Sequence, residues 1–273
     1  MSFQEKLDLI SIKNNSLVCV GLDSDYDRLP SFLKTEKNSQ FVFNKAIVDA
    51  THSLVCAYKP NRAFYEAMGD KGVLQLKMTC DYIQAAYPEM PIILDAKYAD
   101  IGSTNEGYVR YVFDYLGVDA VTLHPYLGHE ALSPFLEVAD KGCIILCKTS
   151  NPGAGELQNL MIGDTPLYKV VAEKITNTWN EFNNCMMVIG ATYPEEMAEI
   201  RKMAPNMTFL VPGVGAQGGD VEKILKAGLN IRGNGLIISS SRGIIFASSE
   251  KDFAERAREE TIKLRDEINK YRK

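Results

Sequence analysis

The sequence is short of the residues that mark secreted, membrane-spanning and metal-binding chains. Its 273 residues include one tryptophan, three histidines and six cysteines. His124 and His129 stand five apart with no third ligand nearby, so a metal site is not expected. Cys19, Cys56, Cys80, Cys143, Cys147 and Cys185 form no C-x-x-C pair. Five of them sit in short apolar runs, which suggests reduced, buried thiols and a cytoplasmic protein. No apolar run approaches the roughly 18–20 residues that cross a bilayer. The opening MSFQEKLDLI interleaves acids instead of placing a basic segment before an apolar one, so secretion is not expected. There is no Lys/Arg block either: 30 Lys+Arg against 35 Asp+Glu leave a net charge of −5. That balance lacks the footprint of a nucleic-acid binder and disfavours an anionic membrane surface.

What the chain does have is a regular series of short apolar runs, at 16–23, 54–60, 91–97, 120–125, 142–150, 185–192, 207–215 and 235–243. Each is ended by Gly, Pro, Ser or a charge, as expected of strands buried on both faces. Segments with apolar residues three and four apart lie between them, among them FVFNKAIVDATHSL, VLQLKMTCDYIQAAY and DVEKILKAG. The runs recur about every thirty residues, the size of one βα unit. Eight such units predict an α/β fold, a single-domain (β/α)8 TIM barrel over 1–273. The competing doubly wound sheet usually carries G-x-G-x-x-G after its first strand, where this chain reads GLDSD. Two connections are long, 24–40 and 151–168, and are candidate lids, with a surface insertion the alternative for the first.

In a barrel of this kind the strand C-termini form the active face. The sharpest motif there is Asp95-x-Lys97-x-x-Asp100. Alternation along a strand puts Asp95 and Lys97 on one side, facing the barrel mouth, with Asp100 just past the strand end. Lys59 ends the preceding strand in AYKPNRAFYE and would extend this to a Lys–Asp–Lys–Asp array. The alternative is a structural ion-pair network. VPGVGAQGGD, with four glycines and Gln217 before a helix, suits an anion held by backbone N–H groups. Arg242 in SSSRG adds a bidentate phosphate partner one loop away. In KTSNPGAGE, Ser150 and Asn151 either read a polar ring edge or only cap a turn. His124 reads as a structural strand-end residue.

At these residues the sequence resembles the orotidine 5′-phosphate decarboxylase family, in the branch whose motifs read KPN-x-AFYE and TSNPG. The likeness runs from GLDSD near residue 21 to SSSRGI near 244. D-x-K-x-x-D alone also occurs in related phosphosugar barrels, but its ordered combination with Lys59, PGVGAQGGD and SSRGI is more specific. The resemblance implies a cofactor-free decarboxylation of orotidine monophosphate (OMP) to uridine monophosphate (UMP). Lys97 would protonate C6, Asp95 would crowd the departing carboxylate, and Lys59 would orient Asp95 and touch the ribose. Asp23 and Asn61 would bind ribose hydroxyls, Ser150 the pyrimidine, and Gln217 both base and phosphate. Arg242 and the backbone near Gly215 would hold the phosphate. Asp100 and Thr104 would come from the other subunit, so a homodimer is implied. Asn61 departs from the better-known branch, which has His there.

Three rivals remain at this stage. A metal-dependent phosphosugar lyase or decarboxylase would need an acidic ligand where Lys59 stands. A Schiff-base aldolase would need a neutral lysine, which the flanking Asp95 and Asp100 oppose. A non-catalytic nucleotide-binding barrel would keep the phosphate elements without turnover.

Overall fold

A computed structural model describes residues 1–214 and 220–272. Every expected apolar run supplies one strand: β1 (Val18–Gly21), β2 (Ala57–Lys59), β3 (Ile93–Tyr98), β4 (Ala120–Leu123), β5 (Gly142–Lys148), β6 (Cys185–Ile189), β7 (Phe209–Pro212) and β8 (Leu236–Ser240). Most strand residues are fully buried because helices cover the outer face and neighbouring side chains fill the inner one.

All strand pairings in this sheet are parallel, in the order β2-β1-β8-β7-β6-β5-β4-β3. Between β2 and β3 there are only isolated bridges, Tyr58 with Ile92 and Asn61 with Asp95. Two backbone hydrogen bonds accompany them, Tyr58 N–H to the Pro91 carbonyl at 3.0 Å and Asp95 N–H to the Pro60 carbonyl at 2.9 Å. The sheet is thus a nearly closed (β/α)8 barrel, with its loosest join at the residue the sequence marks as central.

The N-terminal helix Phe3–Lys13 starts in a capping box between Ser2 and Glu5 and covers the bottom of the barrel. Phe3 lies so close over Gly142 that a β-carbon there would sit 2.4 Å from its ring. Lys6 pairs with Asp119 at 2.8 Å. All six cysteines are free and buried. Burial pushes the Cys19, Cys80, Cys147 and Cys185 thiols up to about 12, which leaves them unreactive.

Arg201 knits the same end of the molecule. In sequence it reads as a basic residue of a helix's last turn, yet it is buried in the helix Pro194–Met203. Its guanidinium donates to the carbonyls of Gly228 (2.8 Å), Ala204 (2.9 Å), Met207 (2.6 Å) and Gly235 (3.0 Å), and stacks on Phe209. Burial lowers its pKa to about 10, so it stays charged at neutrality. Arg201→Ala would leave several buried acceptors without a donor, and should cost about 3 kcal/mol or more. Urea unfolding checks this; an unchanged midpoint would show that the hub is dispensable.

Neither long connection is a bare loop. Residues 24–40 form two 3-10 turns, Tyr26–Arg28 and Ser31–Leu33, with Leu29 and Leu33 buried and Arg28 over the Phe246 ring. The first connection is therefore a packed insertion. In 151–168 a short helix, Gly155–Gln158, leads into an antiparallel ribbon of Met161–Ile162 and Thr165–Pro166. Buried Lys148 at the end of β5 holds this segment through Asn159, between the rings of Tyr168 and Tyr193.

Candidate active site

The C-terminal ends of β2 and β3 bring three of the expected charges into one row. The Lys59 ammonium lies 3.1 Å from Asp95 Oδ2 and the Lys97 ammonium 2.6 Å from Asp95 Oδ1. Lys59 is 5% exposed and Asp95 13%, whereas the Lys97 side chain is 48% exposed and free to meet a ligand. Asn61 Nδ2 donates to Asp95 Oδ2 at 3.4 Å, while its Oδ1 caps the helix Arg62–Glu66 by accepting from Ala63 N–H.

Electrostatics fix both members of the buried pair as ions. For Asp95, burial works against ionisation, but the Lys59 and Lys97 charges, with hydrogen bonds from Lys97 and Thr122, outweigh it. Its pKa falls well below the usual carboxylate range. For Lys59, burial again opposes the charge and the carboxylates of Asp95 and Asp23 more than offset it, so its pKa rises above the ordinary lysine value. Asp95's stabilising contribution is present above about pH 4 and is lost as pH falls through its lower folded value. That of Lys59 is present below about pH 10.4 and is lost as pH rises through its higher one. Across neutrality the pair is constant.

The sequence alternation puts Asp95 and Lys97 together, but the structure reaches that result by another route. β3 breaks its ladder with β4 between Leu94 and Tyr98. Lys97 takes a left-handed backbone, φ +53°, and Ala99 has φ +139°. Such conformations are costly for residues with a β-carbon and concentrate at functional sites. Thr122 on β4 fills the break. It was not singled out by the sequence, because a lone threonine in AVTLHP reads as an ordinary β-branched strand residue.

Asp95 is a wall shared by two cavities. A cleft of about 570 Å³ runs past Asn61, Lys97, Asp100, Tyr108 and His124. His124 sits at the end of β4, its backbone N–H bonded to the Tyr98 carbonyl, as a strand-end residue should. A smaller pocket contains Asp23, Lys59, Asp95, Gly213 and Arg242. Asp23 Oδ1 is buried there without a hydrogen-bond partner among the described residues. Gly21 permits this corner to close, since a β-carbon on it would lie 1.8 Å from Ser241 Oγ. Arg242, exposed, opens the helix Arg242–Ile245 directly after β8.

The remaining expected residues lie apart from the row. Ser150, half-buried, follows β5 against Gly190 and lines neither cavity. Asp100 forms no ion pair among the described residues, and its Oδ1 accepts from Ile101 N–H at 2.7 Å. Buried Asn105 grips the Asp100 backbone from both sides. Thr104 is exposed on the helix Gly102–Val109. Gly215 and Gln217 lie outside the described residues. Among the described residues, no group of three or more His, Cys, Asp or Glu is placed to hold a metal ion, and no helix is long and apolar enough to cross a membrane.

Chemically, the row offers a fixed, accessible ammonium beside a carboxylate that cannot escape ionisation. Such a pair can repel an anionic group and deliver a proton where negative charge develops. The family model for the orotidine 5′-phosphate decarboxylase / HUMPS family matches residues 16–257. Similar proteins include the orotidine 5′-phosphate decarboxylase of Cellvibrio japonicus, 50% identical over 271 residues and covering 98% of each chain. That of Ralstonia pickettii is 46% identical over 272 residues and covers 100% of each. Among solved structures, OMP decarboxylase of Leishmania donovani superposes with a TM-score of 0.86 at 36% identity, over 99% of each chain. UMP synthase of the same organism gives 0.87 at 37%, over 99% of this chain and 56% of the longer one.

Proposed function

The chain belongs to the orotidine 5′-phosphate decarboxylase / HUMPS family and is a carboxy-lyase that converts OMP to UMP in pyrimidine synthesis, and from that premise we propose how its residues divide the work. The supporting observation is the row Lys59–Asp95–Lys97, with its central carboxylate held ionised between the two cavities.

In the proposed reaction the bond from C6 to the carboxylate carbon breaks, its electron pair stays on C6, and CO₂ departs. Lys97 places its ammonium where that charge grows and transfers a proton to C6, then regains one from solvent. Asp95 faces the substrate carboxylate and cannot relieve the repulsion by taking a proton. Lys59 keeps Asp95 in place and meets the ribose, together with Asn61 and the Asp23 oxygen that lacks a hydrogen-bond partner among the described residues. Ser150 serves the pyrimidine. Arg242 grips the phosphate, and Gly215 and Gln217 join it by virtue of the glycine-rich motif. Binding energy from this remote phosphate helps order the site around the ring.

The fourth charge of the array, Asp100, comes from a second copy of the chain in this proposal, with Thr104 beside it. Asp100 lines the cleft with Leu127 and without an ion pair among the described residues, and exposed Ile101 follows it, as suits a homodimer contact. We take the chain to act as a single barrel domain in the cytoplasm, a setting that suits six free cysteines. The chemistry assigned to these residues calls for no metal or organic cofactor.

The test follows the loss of OMP absorbance with purified protein in EDTA and no added cofactor. Rapid conversion to UMP is expected. Activity that needs magnesium, or turnover of phosphosugars alone, would favour the metal-dependent branch of the barrel superfamily. A further expected result concerns Arg242→Ala, which removes charge-assisted phosphate contacts. UMP affinity should weaken by about 100-fold or more. Calorimetry showing unchanged affinity would remove Arg242 from the phosphate site.

A further inference from the structure

Between the paired residues Leu94–Val121 and Tyr98–Leu123, β3 carries three residues where β4 carries one. The three are Asp95, Ala96 and Lys97, and the one is Thr122. An uneven pairing of this kind leaves backbone N–H groups of the longer strand without a carbonyl to meet, and a buried N–H needs an acceptor.

The Thr122 hydroxyl supplies it. Both Ala96 N–H and Lys97 N–H donate to Thr122 Oγ1, each at 3.0 Å. The same hydroxyl donates its proton to Asp95 Oδ1 at 2.9 Å. A hydroxyl has one donor and two acceptor sites, and here all three are in use. Thr122 is 1% exposed, so no solvent competes for them. One buried group therefore fixes the left-handed backbone of Lys97 and, on the other side, the carboxylate oxygen that the Lys97 ammonium meets at 2.6 Å.

We propose that Thr122 is a positioning residue for the decarboxylation, its single hydroxyl setting both the backbone from which the proton donor springs and the carboxylate against which that donor is held. This rests on the roles given above to Lys97 and Asp95. Thr122 touches no substrate. It acts by stopping the ammonium from swinging with the bulge, and small misplacements of a reacting group cost up to about 100-fold.

Thr122→Val removes the hydroxyl at nearly constant volume, and Thr122→Ser keeps it while dropping the methyl. In the valine variant kcat should fall roughly 10- to 100-fold, with UMP affinity within about threefold of the starting protein. The serine variant should recover kcat to within about threefold. A valine variant with near-normal kcat overturns the proposal, as does a serine variant as slow as the valine one, which would mean that the methyl packing matters and not the hydroxyl. Parallel losses of kcat and UMP affinity would point to general collapse of the site and also overturn it. If the valine chain does not fold, Thr122→Ala puts the same question. Lys97→Ala runs alongside: if it keeps turnover, the underlying assignment fails whatever Thr122 does, and if it loses turnover while Thr122→Val does not, only this inference fails.

Discussion

Lys97→Ala is expected to lower turnover of OMP by several orders of magnitude while leaving UMP affinity close to that of the unaltered protein. The lysine side chain is half-exposed and contributes little to the core. In the proposed division of work its ammonium meets negative charge that appears only as CO₂ leaves, so its loss should fall on the transition state and not on binding. A further sign separates this from general damage. Asp95 would keep Lys59 at 3.1 Å and the Thr122 hydroxyl at 2.9 Å, so the carboxylate stays ionised and the barrel intact. Unfolding by urea should change little. Single-turnover measurements and UMP titration check the pair of outcomes together, and near-normal turnover would remove Lys97 from the chemistry.

Asp95→Asn should be as damaging to turnover and, unlike the lysine variant, costly to the fold. Lys59 would be left as a buried ammonium without its nearest counter-charge, and breaking one side of a buried pair typically costs about 3–5 kcal/mol. The pH dependence gives the sign. In the unaltered protein the pair contributes a constant amount across neutrality. In the variant, burial acts on Lys59 with less opposition, so its folded pKa drops toward or below that of the unfolded chain. A group depressed in this way penalises folding at lower pH, and the penalty fades as pH rises toward about 10.4. The variant should therefore gain stability from pH 7 to pH 9.5 relative to the unaltered protein. Urea midpoints at the two values measure it; parallel midpoints would show that Lys59 finds enough compensation in Asp23.

The strands were legible because a strand buried on both faces leaves a simple trace, a short apolar run stopped by Gly, Pro or a charge. All eight runs contain one. The Lys59–Asp95–Lys97 row was legible too, since charged residues ending buried strands have few places to go but toward one another. The backbone that delivers Lys97 was not. Nothing in LDAKYAD announces a left-handed lysine or a bulge, because both are set by what β4 offers across the sheet. Thr122 and Arg201 were hidden for a related reason. Each is a common residue in a common setting, a threonine in a strand and an arginine late in a helix, and each acquires its role through groups distant in sequence. Asp100 and Thr104 present a different obstacle, as among the described residues neither side chain joins the row.

The join between β2 and β3 has a consequence for motion. Strand ladders tie every other neighbouring pair of staves in this hoop, with breaks in register between β3 and β4 and between β5 and β6, while here two isolated bridges and a pair of backbone hydrogen bonds do the work. Local opening is cheapest where such bonds are fewest. Lys59 stands on one side of the join and Asp95 and Lys97 on the other, so a nucleotide touching both sides, as proposed, would act as a clasp across the gap. Occupancy of the site and breathing of the barrel are then one equilibrium: whatever binds slows the opening, and whatever loosens the hoop weakens binding.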